Sequence, residues 1–193
     1  NRIIEIRRQF FHIAVGVSLA VTYYIGWINR KHFIALFGIF GILFLINKHK
    51  RIPILHNFIV SMERKYMIGF FPGLGALFLM LGMAIVVMLF PKDIASASIL
   101  IVAISDGIAS LLGPYGLTSY INKNKTWEGI LIAIIAGAMG ASYVVPLKQA
   151  LPAATISMLI EGLDLKIGKW KIDDNITVPI ISAIVITIVK FYI

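Results

Sequence analysis

Residues 104–129 read ISDGIASLLGPYGLTSYINKNKTWEG and join an apolar helix to a polar loop. Asp106 lies inside the otherwise apolar run Ile94–Leu112, near its end. A carboxylate there is costly unless it pairs, binds a cation or meets a water-filled cavity. One reading pairs it with a basic residue such as Arg64 or Lys125 for packing alone. The functional reading makes it a ligand for a divalent cation, because Mg2+ takes a few carboxylates and leaves positions for phosphate and water. Ser110 follows one turn later on the same face, within reach for a hydrogen bond. Gly107, Gly113 and Gly116 either pack helices together or let backbone amides approach phosphate, although the chain has no Walker-type P-loop. Lys123, Lys125, Thr126, Glu128 and Gly129 then lead into the next helix. Thr126 is placed to cap a helix that begins near Trp127, and Lys125 with the positive helix end would stabilise phosphoryl charge.

The chain around this stretch has 193 residues, of which 59% are hydrophobic and 14% charged, far from the balance of a soluble domain. It reads as one all-α, polytopic integral membrane domain covering 1–193. The apolar residues come in long runs, where a transmembrane barrel would alternate them over short strands. The net charge of +9 is assigned to the flanks of spans facing anionic lipid, not to nucleic acid. The absence of Cys excludes disulfides and thiolate ligands. No small-residue cleavage site follows the first apolar run, so no cleavable signal peptide is expected.

About seven transmembrane helices are expected, over Phe10–Ile28, Phe33–Ile46, Met67–Phe90, Ile94–Leu112, Gly129–Val145, Ala150–Ile160 and Ile176–Ile193. Ile52–Met62 has the mixed character of an interfacial helix. Pro72, Gly73 and Gly75 predict a kink or break near the start of the third span. With a cytoplasmic N-terminus, most of the 18 Lys and Arg fall on that side. So do all the acidic residues except Asp93, which a shared polar site at the cytoplasmic face would explain. Glycines within the spans leave a homodimer open.

Further polar residues gather near that face. Asp173, Asp174 and Asn175 precede the last span, where any one of them serves as a cap. Two adjacent carboxylates exceed what a cap needs and favour a bound cation. Glu161 ends the sixth span and can reach Asp106 if the sixth and seventh elements pack against the fourth. His12 lies at the entry to the first span, as an interfacial histidine or a ligand. Glu63, Arg64 and Lys65 form a charged flank.

Four blocks together resemble the CTP-dependent polyprenol kinases, the family of dolichol and phytol kinases. They are EIRRQFFHIAVG at 5–16, Glu63–Gly82 with its FPG, SDGIASLLG followed by NKTWEG, and EGLDLKIGKWKIDDNITVPI at 161–180. The central block is also similar to the wider superfamily of phosphatidate cytidylyltransferases. Those end in a histidine, paired glycines and an aspartate-arginine pair, whereas no histidine follows His56 here. The resemblance implies transfer of the γ-phosphoryl group of CTP to a membrane isoprenoid alcohol with Mg2+, at a site facing the cytoplasm. It casts Asp106, Asp173, Asp174 and Glu161 as metal ligands and Lys125 and Arg64 as phosphate partners. Asp174, or less strongly His12, would handle the hydroxyl proton. The rival readings are a cytidylyltransferase that makes a CDP-activated lipid from a lipid phosphate, and a small membrane transporter or scaffold.

Overall fold

The structure is a computed structural model that describes residues 2–63, 71, 73–122, 125–163, 166–167, 170–171 and 173–192. Helices α1 (Arg2–Ile25) and α2 (Arg30–Lys50) form an antiparallel hairpin. Asn29 caps α2 by accepting from the Lys31 amide at 3.0 Å, while His32 Nδ1 accepts from the Asn29 amide at 3.1 Å. The Tyr23 ring meets Phe33 edge-on at 5.4 Å and closes the turned end. Helix α3 (Pro53–Met62) starts with proline at its first turn, where no amide is required. It lays Phe58 against Phe11 of α1, with ring centroids 5.3 Å apart. Helix α4 (Leu74–Leu89) begins directly after Gly73, whose φ of 89° suits glycine.

The centre of the molecule is α5 (Lys92–Ile101), which runs through a π-helical turn at Val102–Asp106 into α6 (Gly107–Leu112). Every residue from Ile94 to Ala103 is buried. Its alternation of Ala and Ser with Ile and Leu lets neighbours approach from all sides, as a helix without a polar face requires. A 3₁₀ turn, Gly113–Tyr115, leads to a hairpin of β1 (Ser119–Asn122) and β2 (Lys125–Thr126), with Ser119 opposite Thr126. Helices α7 (Trp127–Ala141) and α8 (Leu147–Gly162) follow, then a small hairpin of β3 (Lys166–Ile167) and β4 (Trp170–Lys171), then α9 (Asp174–Tyr192).

Two contacts fix the register of these helices. The Ser157 and Ser182 hydroxyls hydrogen-bond at 2.7 Å in a fully buried position and tie α8 to α9. Lys190 near the end of α9 pairs with Asp93 near the start of α5 at 2.6 Å. Helices α5 and α9 are therefore antiparallel, so the start of α9 lies near the far end of α5, where Asp106 is. The charge pattern thus separates along the bundle, with Asp93 paired at one end and Asp106, Glu161 and Asp174 at the opposite one.

The expectation of about seven transmembrane helices is corrected. The fold is all-α, but among the described residues only three helical segments are long and apolar enough to cross a membrane: Arg30–Lys50, Lys92–Tyr115 and Asp174–Tyr192. The third, fifth and sixth expected spans become α4, α7 and α8, of 16, 15 and 16 residues. Those lengths extend about 24 Å at 1.5 Å per residue, short of about 30 Å of hydrocarbon. Helix α1 is long enough, but it carries Arg2, Glu5, Arg7 and Arg8 in its first turns and His12, Ser18 and Thr22 further along. The assignment of the N-terminus to the cytoplasm counted charges over seven spans and loses its basis with them. A helix, α3, is present where the interfacial one was expected over Ile52–Met62.

The paired serines give a test of the α8–α9 contact. Ser157→Ala alone should destabilise the protein by about 1–2 kcal/mol, because it leaves the buried Ser182 hydroxyl without its partner. Ser157→Ala with Ser182→Ala should cost less than the sum of the two single changes, as read from thermal unfolding of the four proteins in detergent.

Candidate active site

Three carboxylates from distant parts of the chain meet at one end of the bundle. Asp106, Glu161 and Asp174 each place an oxygen so that all three lie within 4.8 Å of one another. Asp106 closes the π-helical turn of α5, and Glu161 lies one turn past Ser157 on α8, on the face that the serine contact holds to α9. Asp174 is the first residue of α9, where a negative charge meets the positive helix end. The π turn is itself held, since buried Ser105 donates to the Ala133 carbonyl of α7 at 2.9 Å.

Lys125 enters this cluster from β2. Its ammonium donates to Glu161 Oε1 at 2.6 Å and to the Glu161 carbonyl at 2.8 Å, and lies 4.0 Å from Asp174 Oδ2. Tyr120 of β1 positions the hairpin, because its hydroxyl donates to the Leu159 carbonyl at 3.3 Å and its ring packs edge-on to Trp127. From the other side His12 of α1 brings Nε2 to 3.3 Å from the Val102 carbonyl and 3.6 Å from Asp106 Oδ2. Donation from Nε2 to that carbonyl sets the tautomer, with Asp106 just beyond hydrogen-bond range.

Glu161 shows what the cluster does to its members. It lies outside the three membrane-length helices, and burial pushes its carboxyl up to about 7. The Asp106 charge adds to that rise, while Lys125 opposes it. Its buried Oε2 has no hydrogen-bond partner. An all-oxygen set of three carboxylates with one orphaned oxygen suits a hard divalent cation such as Mg2+. Asp106, Glu161 and Asp174 would hold it.

The other expected site residues fall around this centre. Asp173 is not one of the three converging carboxylates, and its Oδ1 accepts from the Asn175 amide at 3.0 Å and from Asn175 Nδ2 at 2.9 Å, a local cap on α9. Ser110 lies over Asp106, with the hydroxyl 3.5 Å from Oδ1. Gly107 abuts Ile13 of α1 so closely that a side chain there would collide. At the corner between α6 and α7, Thr126 stands at the cap position of α7, but its hydroxyl donates to the Gly113 carbonyl at 3.1 Å. Gly116 presses on Thr126 and Glu128, and Gly129 on the Gly113 backbone. Glu128 accepts from the Thr118 amide, and hydrogen bonds from its own amide and that of Thr118 hold its carboxyl below the usual range. These contacts build the corner that carries the β1–β2 hairpin. Arg64 and Lys123 lie outside the described residues.

Sequence reading did not anticipate the π turn, the approach of His12 to Asp106, or the ion pair of Lys125 with Glu161. Nothing in the composition of VAISD marks a π turn, whereas the wide spacing of single ionisable residues in apolar helices was a usable signal for the two pairs.

Fold and site together define a protein with membrane-length apolar helices and a centre of three carboxylates and a lysine. Over 187 residues the chain is 30% identical to an uncharacterised protein of Methanocaldococcus jannaschii, covering 94% of this chain and 92% of that one. A CTP-dependent diacylglycerol kinase 1 of Eremothecium gossypii is 31% identical over 146 residues, 61% of this chain and 45% of the kinase. The kinase of the same name from Saccharomyces cerevisiae is 27% identical over 214 residues, 93% of this chain and 71% of the kinase. The chain thus spans less than half the length of the Eremothecium protein. No family model and no solved structure matches it. The chain belongs to the family of the Methanocaldococcus jannaschii protein, and it is similar to the CTP-dependent diacylglycerol kinases.

The raised pKa of Glu161 predicts a pH dependence. A carboxyl raised on folding binds its proton more tightly in the native state, so its stabilising effect is complete below its ordinary value of 4.5 and is lost as pH rises through about 7. Metal-free protein should therefore lose stability on the order of 3 kcal/mol across that interval, and Glu161→Gln should not. Calorimetric titration with Mg2+ should show tighter binding as pH rises, with proton release on binding, and Asp174→Asn should abolish it.

Proposed function

We propose that this protein is a kinase that transfers the γ-phosphoryl group of CTP to the hydroxyl of a membrane isoprenoid alcohol, with Mg2+. The observation that carries this reading is the convergence of Asp106, Glu161 and Asp174 around Lys125 at one end of the bundle. Phosphoryl transfer asks the protein mainly for positioning and charge stabilisation, and these four residues supply both. CTP as donor is supported by the names of the diacylglycerol kinases, and the isoprenoid alcohol by the sequence blocks described above. Because nucleotide is cytoplasmic, the carboxylate end of the bundle would face the cytoplasm.

In the reaction the alcohol oxygen forms a bond to the γ-phosphorus and the bond from that phosphorus to the β,γ-bridging oxygen breaks. CDP leaves, and the hydroxyl proton passes to a carboxylate, Asp174 being the most open of the three with its side chain 25% exposed. A divalent cation on Asp106, Glu161 and Asp174 would offset charge on the phosphate oxygens. Lys125 moves from Glu161 onto a phosphoryl oxygen as nucleotide enters, and its positive charge then lies where negative charge develops. His12, whose Nε2 donates to the Val102 carbonyl, stands 3.6 Å from Asp106 Oδ2 as a weaker candidate to handle the hydroxyl proton.

Diacylglycerol is the second reading for the lipid, because it is the substrate in the names of three relatives. The protein in nanodiscs with Mg2+ and γ-labelled CTP should label phytol or a polyprenol, and Asp106→Asn should lower the rate by about 10²-fold or more. Lys125→Met should lower it similarly. Label transferred from α-labelled CTP to a lipid phosphate would instead make the protein a cytidylyltransferase. Label in dioleoylglycerol alone would move the substrate to the second reading.

A further inference from the structure

The corner between α2 and α3 carries positive charge that the carboxylate centre does not use. Of the three membrane-length helical segments, α2 is the least covered by the rest of the protein, with 17% of its apolar stretch buried against 67% and 39% for the other two. Residues 33–46 are apolar without exception, and Ile39, Ile42 and Ile46 are exposed at three- and four-residue spacing, so they form one open face. Such a face is stable against hydrocarbon and costly against water.

Where this face ends, the chain turns basic. Lys48, His49, Lys50 and Arg51 are consecutive and all exposed. Between Glu5 and Glu63 the sequence has no carboxylate, so neither α2 nor α3 supplies a counter-charge. Among the described residues Lys48, Lys50 and Arg51 make no ion pair, and Lys48 lies over the Phe71 ring at 4.9 Å. Arg51 closes α2 with a φ of 45°, its amide donating to the Asn47 carbonyl at 3.0 Å. Glycine takes that backbone conformation at lower cost, so the corner holds a charge where turn chemistry alone favours none.

Past the corner α3 exposes Ile54 and Phe58, one turn apart on one face. Helix α2 runs back along α1, and Phe58 packs on Phe11, the residue before His12, so the corner stands at the end of the bundle where His12 approaches Asp106. We propose that Lys48–Arg51 and α3 form a binding surface for anionic lipid headgroups, at the level where the hydrocarbon of a bilayer gives way to its phosphates. Ile54 and Phe58 lie among the outer acyl carbons, and Lys48, Lys50 and Arg51 meet the phosphates. A zwitterionic headgroup carries its own cation beside the phosphate, so the surface selects lipids with net negative charge. The proposal goes beyond the kinase reading and needs no part of it.

The full chain in phosphatidylcholine vesicles with trace spin-labelled lipids tests the selection. Spin-labelled phosphatidylglycerol should associate with the protein more strongly than spin-labelled phosphatidylcholine, and high salt should narrow the difference. Lys48→Gln with Lys50→Gln and Arg51→Gln should abolish the preference, and free inorganic phosphate should not compete with it. Arg51→Gly alone should weaken the preference while leaving thermal stability equal or higher, because glycine fits that backbone. An unchanged preference in that variant would overturn the contact assigned to Arg51 and leave it a cap.

The chain has no cysteine, so Ile54→Cys accepts a single nitroxide. In the vesicles that label should be relaxed more by oxygen, which concentrates in hydrocarbon, than by a water-soluble nickel chelate. Greater relaxation by nickel would put α3 in water and overturn the proposal. So would a preference that survives the triple change, one that falls as far with Lys31→Gln and Lys92→Gln at the opposite end of the bundle, or displacement of the anionic lipid by inorganic phosphate. None of these readouts involves turnover, so they hold or fail whether or not the protein phosphorylates a lipid.

Discussion

Mutual repulsion among Asp106, Glu161 and Asp174 is the constraint to which the surrounding structure answers. Like charges a few ångströms apart oppose folding unless positive charge enters, and together with burial the Asp106 charge raises the proton affinity of Glu161. Lys125 brings one such charge and spends it chiefly on Glu161. Among the described residues three carboxylates thus gather around one ammonium, a grouping that favours an added cation. The elements that tolerate this are the ones that hold it in place: the Ser157–Ser182 contact behind Glu161 and Asp174, the Ser105–Ala133 contact behind Asp106, and Tyr120 behind Lys125.

The packing of α5 makes the convergence possible. A helix buried from Ile94 to Ala103 by small and β-branched residues has no polar face on which a carboxylate could reach solvent. Its ionisable residue has to come at the end, and the π turn at Val102–Asp106 widens the helix just there. Such turns cost backbone hydrogen-bond quality, and they persist where the displaced residue has a task. Asp93 at the opposite end finds Lys190, so the same helix carries one neutralised carboxylate and one that is part of an anionic cluster.

How far the sequence could be read follows from which interactions are local. Asp106 stood out because a carboxylate in an apolar run violates the local pattern, and Asp173 with Asp174 because two adjacent carboxylates exceed what a helix cap needs. Convergence of Asp106 with Glu161 was legible only as a condition on packing between helices more than 50 residues apart in the chain. The number of membrane-length helices was misread, because apolar composition was taken as span length. Helices α4, α7 and α8 are apolar, yet each buries only one face against other helices and is about 24 Å long or less. Glycine was ambiguous for a similar reason: Gly107 and Gly116 serve close helix and corner contacts, which look the same in sequence as a phosphate approach.

Lys125 links the resting cluster to the reaction proposed for it. In the structure its ammonium satisfies Glu161 twice, through Oε1 and the carbonyl, and reaches Asp174 only at 4.0 Å. A polyphosphate entering with its own cation offers the ammonium a more highly charged partner and gives the carboxylates a replacement cation. The exchange conserves the balance of charge at the centre while moving the lysine, so it needs no net creation of buried charge, which is the expensive step in a dry site. A two-residue strand in a short hairpin suits that movement better than a long helix would, since few backbone hydrogen bonds bind it to its neighbours. Among the described residues the three carboxylates thus stand on helices and the lysine on the hairpin.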